Sequence, residues 1–295
     1  MTSKKPTVLE RLRDSWVEYS HATYVAIVLG GAFFSTATGK SEWAHKISLI
    51  AIASYFVILL LFLFWFAHTY SRKARYAESL RLIHSAIHDI RDTAGYLERC
   101  YRRKDTFSAF VVHGALQGCL DAVARAFSMV TGANCRVCIK VVGGDSPSNA
   151  YVTTACRDKI SQDDCREKDR SEKKDHLITE NTDFSYLVHG KKTFYLNGDI
   201  DGTTGYLNTS ILQYGGRLPY KSVIVLPIRR TYNLSSKNET APPPTVVGFL
   251  CIDSHSRFSF TEKYDVQMGA VIADALCPIL ELWDRMARIS RRQGK

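Results

Sequence analysis

Two uncharged apolar runs lie near the start of the chain, at residues 22–39 and 47–67. As a helix, the 18 residues of the first run span roughly 27 Å, which matches the hydrocarbon core of a bilayer. The second run is rich in Leu, Ile and Phe and carries the stronger spanning signal. A cleaved signal peptide is disfavoured, because the second run follows the first so closely. The pattern predicts a transmembrane helical hairpin over residues 22–68, after a cytoplasmic segment at 1–21.

The lysine and arginine residues beside these runs predict the orientation. Four precede the first run and four follow soon after the second, whereas the loop between the runs holds two. Positively charged residues stay on the cytoplasmic side, so both ends of the chain are expected inside, in a multi-pass protein of the cell inner membrane. The net charge of +10 agrees with a lipid bilayer as partner. The basic residues are too dispersed to predict nucleic-acid binding.

A seven-residue rhythm of apolar positions follows at residues 70–105. The steps between apolar residues alternate between 4 and 3, as in an a/d seam, and charged residues fill the other positions. The seam contains Leu80, Ile83, Ile87, Ile90 and Leu97. This pattern predicts a coiled-coil-like linker helix that pairs in a parallel homodimer. The alternative is one amphipathic helix that lies on its own soluble domain.

Residues 106–295 are predicted to form an α+β domain with a central antiparallel sheet. Helical periodicity indicates helices over 106–130 and 262–291. Apolar runs between polar segments predict the strands, at 135–142, 151–156, 194–196, 222–228 and 246–253. Strand alternation places Cys135 and Cys138 on opposite faces, which argues against zinc binding or an active dithiol at this C-x-x-C motif. No metal site is predicted.

The stretch 246–276 resembles the closing strand and last helix of GAF domains. That family has a Gly-hydrophobic-Leu strand that ends in Asp-Ser, then a Phe and an acidic residue before the helix. The matching residues are Gly248, Leu250, Asp253, Phe260 and Asp265. The preceding apolar strand, which ends at Pro227-Ile228, is similar to the family as well. The resemblance covers about residues 106–291 and implies a GAF-like fold.

GAF domains are mostly small-molecule sensors, and the resemblance implies a pocket between the sheet and the middle helical segment. The polar and aromatic residues nearest that region are Tyr186, Tyr195, Asn197, Asp199 and Tyr206. Family members bind cyclic nucleotides, haem, bilins or 2-oxoacids, so a nucleotide-like small molecule is one expected ligand. The signature of the cyclic-nucleotide-binding members is not matched, and no cofactor is identified.

The resulting functional hypothesis is a membrane-anchored signalling protein with a cytoplasmic GAF-like domain for ligand sensing or dimerisation. The alternative is a membrane-disrupting effector of a bacterial nucleotide-signalling (anti-phage) system, gated by the same domain. A few GAF proteins reduce free methionine sulfoxide with several cysteines, and this chain has eight. No base or metal constellation accompanies them, so the chain is predicted not to be an enzyme and no catalytic residue is assigned. The cysteines are expected to be free thiols in a cytosolic domain.

Overall fold

The computed structural model describes residues 42–144, 149–162, 176–189, 192–214, 217–230 and 246–293. The chain divides into two compact units, Met1–Lys73 and Ala74–Lys295. The first predicted membrane run, at 22–39, lies outside the described residues.

Helix α1 (Glu42–Arg103) covers the second predicted membrane run. Its stretch Ala53–Ala67 is apolar. Eight large side chains in this stretch are 50 to 75 % exposed and cover well over half of the helix circumference: Phe56, Val57, Ile58, Leu60, Leu61, Leu63, Phe64 and Trp65. The remaining side, with Tyr55, Leu59, Phe62 and Phe66, is half-buried. A globular domain normally buries such side chains, so this part of α1 lacks a protein core around it within the described residues.

The two-helix hairpin and the multi-pass location are not supported by the described residues. By length and composition, one helical segment among them could cross a bilayer, Glu262–Met286, with a mean hydropathy of 1.4. Half of that segment is buried in the protein. Its residues Ile272, Leu276 and Ile279 lie in the core of the second unit, so its apolar character is explained by packing on the sheet.

The second unit is built on a six-stranded antiparallel sheet with strand order β3-β2-β1-β6-β5-β4. The strands are β1 (Cys135–Gly143), β2 (Tyr151–Arg157), β3 (His176–Leu177), β4 (Tyr195–Asn197), β5 (Ser222–Arg229) and β6 (Val246–Ser254). Five of them match predicted strands to within about two residues. β3 has two residues, too few to show alternation, and the sequence does not predict it. The predicted α+β domain with a central antiparallel sheet is confirmed.

Three further helices complete the unit: α2 (Ala109–Thr131), α3 (Thr182–Val188) and α4 (Gln267–Gln293), the last entered through a π-helical turn at Glu262–Val266. Ser108 caps the start of α2, where its side chain accepts a hydrogen bond from the Val111 N–H. Gly132 ends α2 with a φ of 71°, a left-handed conformation that favours glycine. The sequence patterns that predict helices at 106–130 and 262–291 therefore correspond to α2 and α4.

Each face of the sheet carries its own hydrophobic cluster. Helices α2 and α4 pack on one face, with Phe127, Ile139 and Leu276 fully or almost fully buried. The segment from β3 to the start of β5 covers the opposite face, where Val152, Phe184 and Phe249 are buried. Successive residues of a strand point to opposite faces, so each strand of the centre contributes to both clusters.

The linker helix, residues 74–103 of α1, packs on its own domain. Ile83, Ile90 and Leu97 lie in the same buried cluster as α2 and α4. Of the other predicted seam residues, Ile87 is half-buried and Leu80 is 57 % exposed. The helix therefore has an apolar stripe, rotated slightly from the predicted a/d seam. The stripe packs on the protein's own domain, as in the alternative interpretation. Dimerisation stays a prediction.

Candidate functional site

Three facing residue pairs on β1 and β6 lie at the floor of a cavity, and five of the six residues line it. Arg136 lies opposite Asp253, Cys138 opposite Cys251, and Lys140 opposite Phe249. These residues are spaced by two along each strand, so all six side chains point to the sheet face away from α2 and α4. The floor extends sideways, because Arg157 of β2 is the cross-strand neighbour of Cys138 and Val225 of β5 is the neighbour of Cys251.

The cover of the cavity comes from the segment between β3 and β5. Asn181 and Asp183 lie at the start of α3, and Asn208 and Tyr220 lie further along the chain. The Asn208 side-chain amide donates to the Tyr220 hydroxyl at 3.0 Å, and the Thr209 backbone N–H donates to Asn181 Oδ1 at 3.1 Å. Side-chain hydrogen bonds of this kind hold a cover that has little regular secondary structure.

The enclosed space has a volume of about 60 Å³ and is lined by polar and apolar side chains. A single water needs roughly 10 to 15 Å³ by the same measure, so the cavity holds several waters or a small ligand. It lies between the sheet and α3, as the resemblance implied for a GAF-like pocket.

Charged side chains of both signs converge on this cavity. Arg136, Lys140 and Arg157 are the cations, and Asp183 and Asp253 are the anions. Arg136 Nε donates to Asp253 Oδ1 at 3.0 Å, and Lys140 Nζ donates to Thr154 Oγ1 at 3.1 Å. With both carboxylates ionised, the arginine and lysine side chains leave an excess of one positive charge. Such a site favours a small molecule with a carboxylate or phosphate group.

Burial perturbs the two carboxyl groups of the cavity. It raises the pKa of Asp183 to about 6, although the Phe184 N–H donates to this carboxylate at 2.9 Å and opposes the shift. Burial also raises the pKa of Asp253, and the Arg136 guanidinium works in the opposite direction. The pKa of the Tyr220 hydroxyl is raised well above its usual value by burial, followed by the charge of Asp183. Groups with perturbed pKa values in a cavity are typical of a functional site.

None of the five residues predicted from the sequence lines this cavity. Tyr186, Tyr195 and Tyr206 form a row of stacked rings, with centroid distances of 6.5 Å and 6.1 Å between neighbours. The Tyr206 hydroxyl donates to Asp183 Oδ2 at 3.3 Å and so supports a lining residue from behind. Their role in ligand binding stays a prediction.

The other two predicted residues belong to the loop after β4. The Asn197 side-chain amide donates to Thr203 Oγ1 at 3.0 Å, and Asp199 pairs with Arg257 at 3.1 Å. Both contacts hold the loop after β4, and neither residue lines the cavity. The residues that line the cavity carry a weak sequence signal. Alternation places Arg136, Cys138 and Lys140 on one face of β1, but it does not predict that Cys251 and Asp253 lie opposite them.

Comparison with known proteins yields structures but no sequence families. No protein-family model matches the chain, and no curated protein matches it. A solved GAF domain matches 68 % of this chain and 87 % of its own length, at 10 % identity and a TM-score of 0.43. The GAF domain of an Acinetobacter phosphoenolpyruvate-protein phosphotransferase matches 66 % of this chain and 91 % of its own, at 11 % identity and a TM-score of 0.38.

The second unit is similar to these solved GAF domains. At these identities the likeness concerns the fold alone. The central antiparallel sheet and the cavity between the sheet and α3 agree with what the resemblance implied.

The expectation that the chain is not an enzyme requires correction. A free methionine-R-sulfoxide reductase from Neisseria meningitidis also matches, over 71 % of this chain and 92 % of its own, at 13 % identity and a TM-score of 0.42. The GAF-like fold therefore also occurs in enzymes, and the lack of a recognisable catalytic motif in the sequence does not exclude catalysis. The enzyme question is open.

Proposed function

We propose that this protein is a membrane-anchored sensor whose GAF-like domain binds a small anionic molecule in the cavity between β1, β6 and α3. The observation that carries the proposal is the convergence of Arg136, Lys140 and Arg157 on an enclosed space that also contains two buried carboxyl groups. Charged groups are costly to bury, so their collection at one cavity favours a ligand over a purely structural role.

The charge balance selects the class of ligand. Three cations face two carboxyl groups, and the pKa of Asp183 is raised to about 6 by burial, so part of its negative charge is lost in mildly acidic solution. A carboxylate or phosphate compensates the positive excess through charge-assisted hydrogen bonds, which are about twice as strong as neutral ones. A neutral molecule of the same shape does not compensate the positive excess.

The apolar stretch Ala53–Ala67 supports the membrane anchor. Its eight exposed large side chains would each contribute roughly 1.5 to 3 kcal/mol if they were removed from water. They cover well over half of the helix circumference, which favours lipid over a protein partner that covers one narrow side. With the uncharged residues that precede it in the sequence, the run 47–67 is long enough to cross a bilayer.

Calorimetric titration of the full-length protein in mild detergent tests ligand binding. Pyruvate and inorganic phosphate serve as anionic probes, and pyruvamide serves as the uncharged match of pyruvate. We expect binding of at least one anion, no binding of pyruvamide, and a loss of about tenfold in affinity, or about 1.4 kcal/mol, in Lys140→Met. Arg91→Ala is the control, because the Arg91 side chain is exposed and does not line the cavity. Equal affinity in Lys140→Met and wild type would refute the proposed site.

Membrane fractionation tests the anchor. The full-length protein is expected in the membrane pellet after a high-pH wash, and Leu60→Arg combined with Leu61→Arg is expected to release it. Each arginine at the centre of a spanning helix costs roughly 2.5 to 3.5 kcal/mol of insertion free energy. Recovery of the wild-type protein in the soluble fraction without detergent would contradict the anchor.

A further inference from the structure

We infer that Cys138 and Cys251 are a redox-active thiol pair that closes reversibly into an intrachain disulfide in the cavity floor. The two residues are cross-strand neighbours on β1 and β6. Both line the cavity, and their exposed fractions are 5 % and 7 %. Both are free thiols in the structure. This inference concerns the thiols themselves and does not depend on which ligand the cavity binds.

The backbone geometry allows the bond without a large movement. Directly opposed residues of an antiparallel pair have Cα atoms about 4.5 to 5.5 Å apart. A disulfide needs a Cα separation of about 4.4 to 6.8 Å. The two side chains also point to the same face of the sheet and lie in the same buried cluster. The disulfide therefore needs no change in the register of β1 on β6.

The surroundings divide the two thiols into a nucleophile and a proton donor. The hydrogen bond from Cys251 lowers the pKa of Cys138, and the charges of Arg157 and Lys140 act in the same direction against burial. The same hydrogen bond raises the pKa of Cys251, which keeps its proton. A thiolate held by cations is the reactive form of cysteine.

Three of the five other buried thiols in the described part of the chain are poor competitors. Burial raises the pKa of Cys119 to about 12, that of Cys135 to about 11 and that of Cys156 to about 12. All three belong to the cluster on the helical face of the sheet, away from the cavity. Buried neutral thiols in apolar surroundings are inert, so oxidation is directed to the pair in the floor.

Hydrogen peroxide, the smallest hydroperoxide, is the oxidant of the proposed step. The Cys138 thiolate attacks one peroxide oxygen, so an S–O bond forms, the O–O bond breaks and hydroxide leaves as water after it takes up a proton. The sulfur of Cys251 then attacks the Cys138 sulfur, so an S–S bond forms and the S–O bond breaks. The leaving hydroxide takes the Cys251 proton. Two thiols and one hydrogen peroxide thus give one disulfide and two waters, and a small thiol reverses the reaction by exchange.

Mass spectrometry of the full-length protein in detergent tests the pair. The starting protein carries Cys165→Ser, because Cys165 lies outside the described residues. After treatment with stoichiometric hydrogen peroxide at neutral pH, we expect a loss of two hydrogen atoms in mass. Peptide mapping is expected to link the peptides of Cys138 and Cys251, and dithiothreitol is expected to restore the original mass. An unchanged mass, or a link between other cysteines, would overturn the inference.

Three single substitutions sharpen the test. Cys251→Ser is expected to leave a sulfenic acid on Cys138 that dimedone labels, because the second thiol is absent. Cys138→Ser is expected to abolish both the disulfide and the dimedone label. Cys135→Ser is the matched control on the same strand, since its sulfur already lies 3.4 Å from Thr131 Oγ1 and a hydroxyl fits there. It should oxidise like the parent. The peptide map of the Cys165→Ser parent remains decisive if a variant does not fold.

Discussion

Arg136 on β1 and Asp253 on β6 form an ion pair across the sheet, with 3.0 Å between Arg136 Nε and Asp253 Oδ1. Their side chains are only 10 % and 16 % exposed. The pair lies next to Cys138 and Cys251 on the same face and contributes two of the charges of the cavity. Removal of one partner breaks an ion pair between two largely buried groups, which costs much more than the loss of a surface pair.

The first prediction concerns that pair. Asp253→Asn is expected to lower the free energy of unfolding by about 3 kcal/mol, because it removes the charge of the carboxylate that pairs with the largely buried Arg136 guanidinium at 3.0 Å. Urea unfolding followed by circular dichroism measures this loss. Asp92→Asn is the matched control, since Asp92 pairs with Arg91 at 3.1 Å but is 72 % exposed. Its loss should stay below about 1 kcal/mol. Equal losses in the two variants would contradict the importance of burial.

The second prediction is a pH dependence caused by Asp183. Burial raises the pKa of Asp183 from 3.8 to about 6. Between about pH 4 and pH 6 the folded protein therefore holds a proton that the unfolded chain has released, and stability falls as the pH rises through this window. Asp183→Asn removes this contribution.

The stability of Asp183→Asn relative to wild type should accordingly increase by about 2 to 3 kcal/mol between pH 4 and pH 7. Thermal or urea unfolding at several pH values measures the difference. Any constant offset from the altered hydrogen bonds to Phe184 and Tyr206 does not change with pH. In the exposed control Asp92→Asn the difference should stay nearly constant. A flat difference for Asp183→Asn would show that this carboxyl group titrates normally.

The third prediction separates the two interpretations of the linker helix. Leu97 is fully buried in the domain, whereas Leu80 is 57 % exposed. Leu97→Ala is expected to destabilise the protein by about 2 to 5 kcal/mol, because it leaves a cavity in the core. Leu80→Ala should cost less than about 0.5 kcal/mol. Unfolding measurements at two protein concentrations check both values. If Leu80→Ala instead caused the larger loss, and the loss depended on concentration, the dimer seam would be the better description.

The fourth prediction contrasts two glycines. A Cβ atom at Gly248 would lie 2.5 Å from the backbone oxygen of Lys140, so Gly248→Ala is expected to force β6 away from β1 and to destabilise the protein by at least about 1 kcal/mol. A Cβ atom at Gly118, inside α2, meets nothing within 4 Å. Gly118→Ala should therefore stabilise the protein by about 0.5 to 1 kcal/mol through its better helix propensity. Thermal unfolding of the two variants measures the opposite signs.

Much of the fold of the second unit follows from local patterns. Alternation places Arg136 and Lys140 on the face of β1 opposite to Val137 and Ile139, and the structure has them there. Apolar periodicity likewise predicts α2 and α4, because both helices bury one continuous stripe. The short β3 has no periodicity to detect, and the cover of the cavity is held by side-chain hydrogen bonds that link residues far apart in the chain.

The linker helix shows where a local pattern stops being informative. The 4-3 spacing from Leu80 to Leu97 predicts an apolar stripe, but a stripe has no information about what covers it. Another helix and the domain's own core both satisfy the same hydrophobic requirement. In the structure the domain covers Ile83, Ile90 and Leu97, and Leu80 is left outside.

The amino-acid order alone determined the apolar run at 47–67, the alternating strands, the long amphipathic helices and the GAF-like closing motif, because each depends on side chains a few residues apart. Only the tertiary structure decided which residues meet in the cavity. Cys138 and Cys251 are separated by more than a hundred residues and four strands along the chain, and they become neighbours through the register of β1 on β6. That register depends on the packing of both sheet faces at once, and a shift by one residue would turn every lining side chain toward the helices.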